Sequence, residues 1–137
     1  MKKAFAAVMA LALVAGLLSG CAKKEEPVAP LNLFTWEGMF PQEVLDAFTA
    51  ETGIAVNYNN FDFGETMLAK LEAAKGGDYD LVIVDDYIIE MAIAQGLAQK
   101  LDKSKIPSFG NVNPIYQGQF YDPKDEYTVP YWAGVQT

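Results

Sequence analysis

The stretch that most limits what this chain can become is Asp78-Tyr79-Asp80-Leu81-Val82-Ile83-Val84-Asp85-Asp86-Tyr87. Leu81 to Val84 is an unbroken apolar run, rich in β-branched residues, between a Gly-Gly-Asp turn signal and an acidic pair. Such a run predicts a strand buried on both faces, as in parallel α/β sheets. Ile88 to Gln95 follows as helix-forming sequence. The strand therefore ends in two carboxylates and a phenol at the turn into a helix. Ligands of open parallel sheets collect at the carboxyl ends of strands, which makes Asp85, Asp86 and Tyr87 candidate site residues. The same residues also have a purely structural reading, because Asp caps helices and complements the positive end of the helix dipole. One Asp serves as a cap; two in a row followed by Tyr exceed what capping needs.

The sequence before this stretch alternates strand and helix. Leu31 to Thr35 reads as a first strand and Trp36 to Phe40 as a turn. Pro41 stands where a helix can start, with Gln42 and Glu43 in its first turn. Val44, Leu45 and Phe48 share one face of that helix, and Thr52-Gly53 ends it. Ile54 to Tyr58 is a second strand, and Phe61 to Gly64 a loop. Glu65 to Lys75 is a second helix with Met67, Leu68 and Leu71 inward, stopped by Gly76-Gly77-Asp78. The third helix is closed by Gly96. Three strand–helix units in this length predict a parallel sheet with right-handed crossovers and helices on both faces. The pattern loosens from Leu97 onward. Leu101 to Pro107 has no clean period, Asn111 to Phe120 has room for a short helix, and Asp122 to Glu126 is a turn. Tyr127 to Trp132 reads as an extended crossover segment, with Pro130 arguing for an edge or a kink, in a loose tail after Tyr121. The expected core runs from Leu31 to Gln95.

The first residues read as an address. Met1-Lys2-Lys3 is a basic head, Ala4 to Leu18 an apolar run, and Leu18-Ser19-Gly20-Cys21 resembles a lipobox. Residues 1–20 are thus expected to be a lipoprotein signal peptide, with Cys21 as the lipidated first residue of the mature protein. Residues 21–30, charged and Pro-bearing, read as a tether. Cys21 is the only cysteine, which leaves no disulfide and no cysteine metal cluster. With ten Lys, no Arg, no His and eighteen acids the net charge is −8, and loss of Lys2 and Lys3 with the leader lowers it to −10. That balance repels nucleic acid and favours cationic partners. The lack of His removes the usual general base and the commonest metal ligand.

Several markers along the chain match a known family in order and spacing. They are Leu33-Phe34-Thr35-Trp36, Glu51-Thr52-Gly53-Ile54, Glu65-Thr66-Met67-Leu68-Ala69-Lys70-Leu71, Tyr79-Asp80-Leu81-Val82, Asp86-Tyr87, the run Leu101 to Pro107, and Tyr127 to Tyr131. The chain resembles the polyamine (spermidine/putrescine) solute-binding proteins of bacterial ABC importers. The resemblance implies a periplasmic-binding-protein-like (type II) α/β fold, whose two lobes close on a small cation. On this resemblance residues 31–137 are expected to be the N-terminal lobe, truncated at the hinge crossover, with the second lobe absent. The resemblance also implies that the aromatic after the first strand, here Trp36, stacks on the polyamine, and that Tyr87 touches ligand. Asp86 matches an acid or small polar residue at its position, and Asp85 replaces a Ser. Glu37 supplies an acid one position earlier than the family pattern, and Met39 stands where the family has an aromatic. Methylenes and ammonium groups suit aromatic faces, and carboxylates pair with the charge.

The expectation is an exported, lipid-anchored, monomeric binding protein outside the cytoplasmic membrane. It has no enzymatic activity, no metal and no cofactor, and an ABC permease as its partner. One wall alone is expected to hold a polyamine weakly. A binding protein of the same fold for another organic cation or a sugar is the principal alternative. A receiver-like acidic magnesium domain is the distant one. It needs a further strand ending in Asp and a later Lys after a strand, which Val129-Pro130 does not offer.

Overall fold

The computed structural model describes residues 28–134; the expected signal peptide, Cys21, most of the expected tether and the last three residues lie outside them. Strands β1 (Leu31–Trp36), β2 (Val56–Phe61) and β3 (Leu81–Val82) form one sheet. Helices α1 (Gln42–Thr52), α2 (Gly64–Ala74) and α3 (Asp86–Ala94) connect and follow them. The strand order is β2-β1-β3 and both pairings are parallel, with Leu31 opposite Val56 and Leu33 opposite Leu81. The expected α/β architecture is the one present. Asn32 fixes the register at the amino ends of the strands. Its backbone N–H and side-chain amide donate to Asp80 Oδ2 at 2.8 and 2.9 Å, and its Oδ1 accepts from Asn57 Nδ2 at 2.9 Å.

The two sheet faces are unequal. Phe34, Phe61, Met67, Leu68, Leu71, Ile88 and Ala92 form the core between one face and helices α2 and α3, with Trp36, Tyr79, Val82 and Val84 against it. Phe34 is fully buried, its ring stacked on Tyr79 at 4.2 Å and edge-on to Phe61 at 5.1 Å. The apolar face of α2 read from the sequence is the face that this core uses. On the opposite face α1 stands off the sheet, and none of its residues is buried. Val44, Leu45 and Phe48 do point toward the sheet, but across an apolar cavity of about 180 Å³ that Leu31, Leu33, Val56, Leu81 and Ile83 line from the other side.

This asymmetry corrects the reading of the organising strand. Leu81 to Val84 is not buried on both faces: the ladder strand is two residues long and Leu81 is 47% exposed. β3 is an edge strand among the described residues, and the face that Leu81 presents is the open one. Ile83 N–H still donates to Phe34 O at 3.0 Å, so the extended course reaches the turn. Helix α3 begins at Asp86, two residues before its expected start, because both acids fit its positive end. Trp36 belongs to β1 rather than to the turn.

The tail differs most. Asn111 to Phe120 contains only a short 3-10 turn at Pro114–Tyr116, after similar turns at Lys103–Lys105 and Pro107–Asn111. Tyr127 to Trp132 pairs with no strand among the described residues. The segment after Tyr121 is nonetheless organised, around the buried Asp122. Its Oδ1 accepts from Glu126 N at 3.0 Å, and its Oδ2 accepts from Tyr127 N, Thr128 N and Thr128 Oγ1 at 2.8, 2.9 and 3.0 Å. Burial pushes the Asp122 carboxyl up, but the donated hydrogen bonds outweigh it and hold the group below its ordinary value.

Candidate functional site

The candidate residues sit at the carboxyl ends of two adjacent parallel strands. After β1, Gly38 turns the chain with φ 70°, a conformation open to a residue without Cβ. Tyr58 Oη clamps this turn by donating to Trp36 O at 2.6 Å and accepting from Met39 N at 3.2 Å. Glu37 N–H reaches Phe61 O at 3.4 Å, which leaves the Glu37 side chain exposed beyond the sheet. The Trp36 ring is half-buried, 4.7 Å from Phe61 and tilted 54° to it. It both seals the end of the core and shows an edge to solvent.

After β3, the polypeptide enters α3 directly. Asp85 occupies the cap position and its carbonyl accepts from Ile88 N and Ile89 N, both at 3.2 Å. Its side chain makes no capping bond, so the structural reading of Asp85 as an N-cap does not account for its carboxylate. Asp86 Oδ1 accepts from Tyr87 N at 2.7 Å. Tyr87 is 43% exposed, and its hydroxyl donates to Glu65 Oε1 at 3.4 Å. The Tyr87 phenol is raised above its ordinary value, first by partial desolvation, then by the Glu65 and Asp85 charges, the Glu65 hydrogen bond and the Asp86 charge. The phenol thus stands in a negative field that disfavours phenolate.

Asp85, Asp86 and Tyr87 are therefore brought together, with Glu65 joining them from α2. Trp36 and Glu37 share the same end of the sheet on the neighbouring strand; no hydrogen bond links the two groups among the described residues. The two ion pairs there are Lys100–Glu126 and Lys105–Asp102, so Glu37, Glu65, Asp85 and Asp86 form no ion pair with a described residue. Among the described residues no acidic group converges closely enough to hold a metal ion.

Two neighbours of the site escaped sequence reasoning. Glu65 was legible only as part of a helix start, because its contact with Tyr87 spans 22 positions. Tyr121 is half-buried, and its phenol is raised by burial first and then by the Asp86 charge. The tail thereby comes near α3. The aromatic immediately before Asp122-Pro123 is the only local signal of it.

A parallel sheet with acids and aromatics at its carboxyl edge is an α/β lobe of the kind in which ligands collect at the strand ends. The sequence model for bacterial extracellular solute-binding proteins matches residues 36–136, and the chain belongs to that family. It is 40% identical over 104 residues to the spermidine/putrescine-binding periplasmic protein of Escherichia coli K12, covering 76% of this chain and 30% of that relative. It is 35% identical over 136 residues to the putrescine-binding periplasmic protein SpuD of Pseudomonas aeruginosa, covering 98% of this chain and 36% of that one. The fold superimposes on the spermidine/putrescine substrate-binding protein PotD of Streptococcus pneumoniae with a TM-score of 0.70 at 35% identity, over 76% of this chain and 32% of that one. The Tp0655 lipoprotein of Treponema pallidum gives 0.69 at 32% identity, over 77% and 33%. The chain spans about a third of the length of the relatives that it matches.

Proposed function

We propose that residues 31–137 are the N-terminal lobe of an extracytoplasmic solute-binding lipoprotein that delivers a polyamine to an ABC permease. Trp36, Glu37, Asp85, Asp86 and Tyr87 contact the solute in this reading. Cys21 carries the lipid that holds the protein at the membrane, and the protein acts as a monomer without catalysis. The observation that carries the proposal is the set of exposed carboxylates at the strand ends, with no ion pair to a cation among the described residues and two aromatic rings within the same edge. A flexible dication or trication supplies what that edge lacks. Its ammonium ends neutralise the acids, and its methylenes and charge lie against Trp36 and Tyr87. The named polyamine binders among the relatives support the same ligand class.

Thermal shift of the full chain against spermidine, putrescine, choline-type cations and sugars tests the ligand class. Polyamines should stabilise the protein most, and salt should weaken the effect. A response to a sugar with none to polyamines overturns the assignment. Trp36→Ala and Tyr87→Ala should each weaken polyamine binding by about 1–3 kcal/mol. Unchanged affinity in both would make these rings core alone.

A further inference from the structure

We infer that Glu65 is the positioning residue for Tyr87, and that it sets the phenol oxygen as a hydrogen-bond acceptor toward the solute. This deepens the reading of Tyr87 as a solute contact and rests on it. A phenol has a single proton to donate. Here that proton is directed at Glu65 Oε1, 3.4 Å away, so the oxygen lone pairs face outward. A group presented in this way accepts from an ammonium N–H. It has nothing to donate to a neutral acceptor. The contact is long for an O–H···O bond, and what it supplies is orientation rather than tight binding.

Packing around the pair explains why Glu65 and Tyr87 meet. Helix α2 starts at Gly64, where a Cβ would stand 2.8 Å from Ile88 Cγ1 and 3.3 Å from Tyr87 Oη. The missing side chain lets the first turn of α2 abut the first turn of α3. Met67 and Leu68, buried one turn along, fix α2 against the core, so Glu65 projects from a rigid base. On the other side Ile88 is fully buried and anchors the turn that carries Tyr87. Glu65 makes no capping bond and, among the described residues, no ion pair that competes for its carboxylate. A freely rotating exposed tyrosine would lose side-chain entropy on meeting a ligand; a held one loses less.

The test uses the full chain with ring-labelled tyrosine, the Tyr87 resonance being assigned by Tyr87→Phe. Glu65→Gln keeps an acceptor and removes the charge, and Glu65→Ala removes both. Both should let the Tyr87 phenol titrate at lower pH. Nuclear Overhauser contacts from the Tyr87 ring to Gly64 and Ile88 should persist in Glu65→Gln and weaken in Glu65→Ala. In calorimetry with spermidine, Glu65→Ala should lose about 10-fold in affinity, Glu65→Gln about 2–3-fold, and Tyr87→Phe should add little to Glu65→Ala. An unchanged Tyr87 titration in Glu65→Ala, or losses that multiply in the double variant, overturns the positioning role. If the wild type ignores spermidine, the ligand assignment fails. The titration and the ring contacts then still decide the role of Glu65.

Discussion

Asp122 offers the sharpest test of how the tail is held. Four donors converge on its carboxylate, three of them backbone N–H groups of Glu126, Tyr127 and Thr128, and the side chain is only 4% exposed. Asp122→Ala strips the acceptor from all four. A hydrogen bond to a charged group contributes about 1.5–3 kcal/mol, but water can reach part of this loop and replace some of it. A local destabilisation of about 2–4 kcal/mol is therefore expected, which is roughly a 30- to 1000-fold loss of amide protection. Asp122→Asn is the informative partner. With its oxygen at the Oδ2 position it retains three of the four bonds and turns an amide against Glu126 N–H, so it should lose about half as much. The assay is hydrogen exchange at the amides of Glu126, Tyr127 and Thr128. Acid gives the sign: a carboxyl held below its ordinary value stabilises fully above about pH 4, and the contribution fades as pH falls through the lowered folded value. The difference between wild type and Asp122→Asn should shrink over that range. Unchanged protection in Asp122→Ala, or a difference indifferent to acid, would refute the clamp.

Two further outcomes probe the packing. Gly64→Ala normally favours a helix by up to about 1 kcal/mol, yet here the new methyl meets the buried Ile88, so urea unfolding should show a net loss of about 1–3 kcal/mol; a gain would mean that α2 and α3 are not tightly apposed. Phe34→Ala should cost about 3–5 kcal/mol, whereas Phe48→Ala, on the helix that stands off the sheet, should cost less than about 1 kcal/mol, and equal losses would contradict the unequal faces.

The core was legible because its signals are local and redundant. Met67, Leu68 and Leu71 repeat at helical spacing, and Phe34 sits amid an apolar strand, so any packed arrangement of these elements buries them together. The same logic overreached at Leu81 to Val84. An apolar run records that a strand suits an interior, not how many of its faces this stretch of polypeptide covers, and Leu81 is left half exposed beside the α1 cavity. At the tail the failure was of another kind. Asp122 binds donors four to six positions ahead through loop geometry that carries no period, and composition alone made that loop look slack.

The site divides along the same line, and the division has a cause. That Asp85, Asp86 and Tyr87 stand together was legible because a strand end and a helix start fix where consecutive side chains go. What those side chains do to one another was not legible, because it depends on a third element. Glu65 reaches Tyr87 only because β2 and β3 flank β1, which brings the starts of α2 and α3 side by side, and because Gly64 leaves no methyl between them. The strand order thus converts a helix-start acid, ordinary in its own context, into the group that decides which way a phenol faces. An acid at this position without the glycine before it would meet a displaced Ile88 and a displaced ring, and the dipeptide Gly64-Glu65 is therefore the unit on which the geometry of the phenol depends.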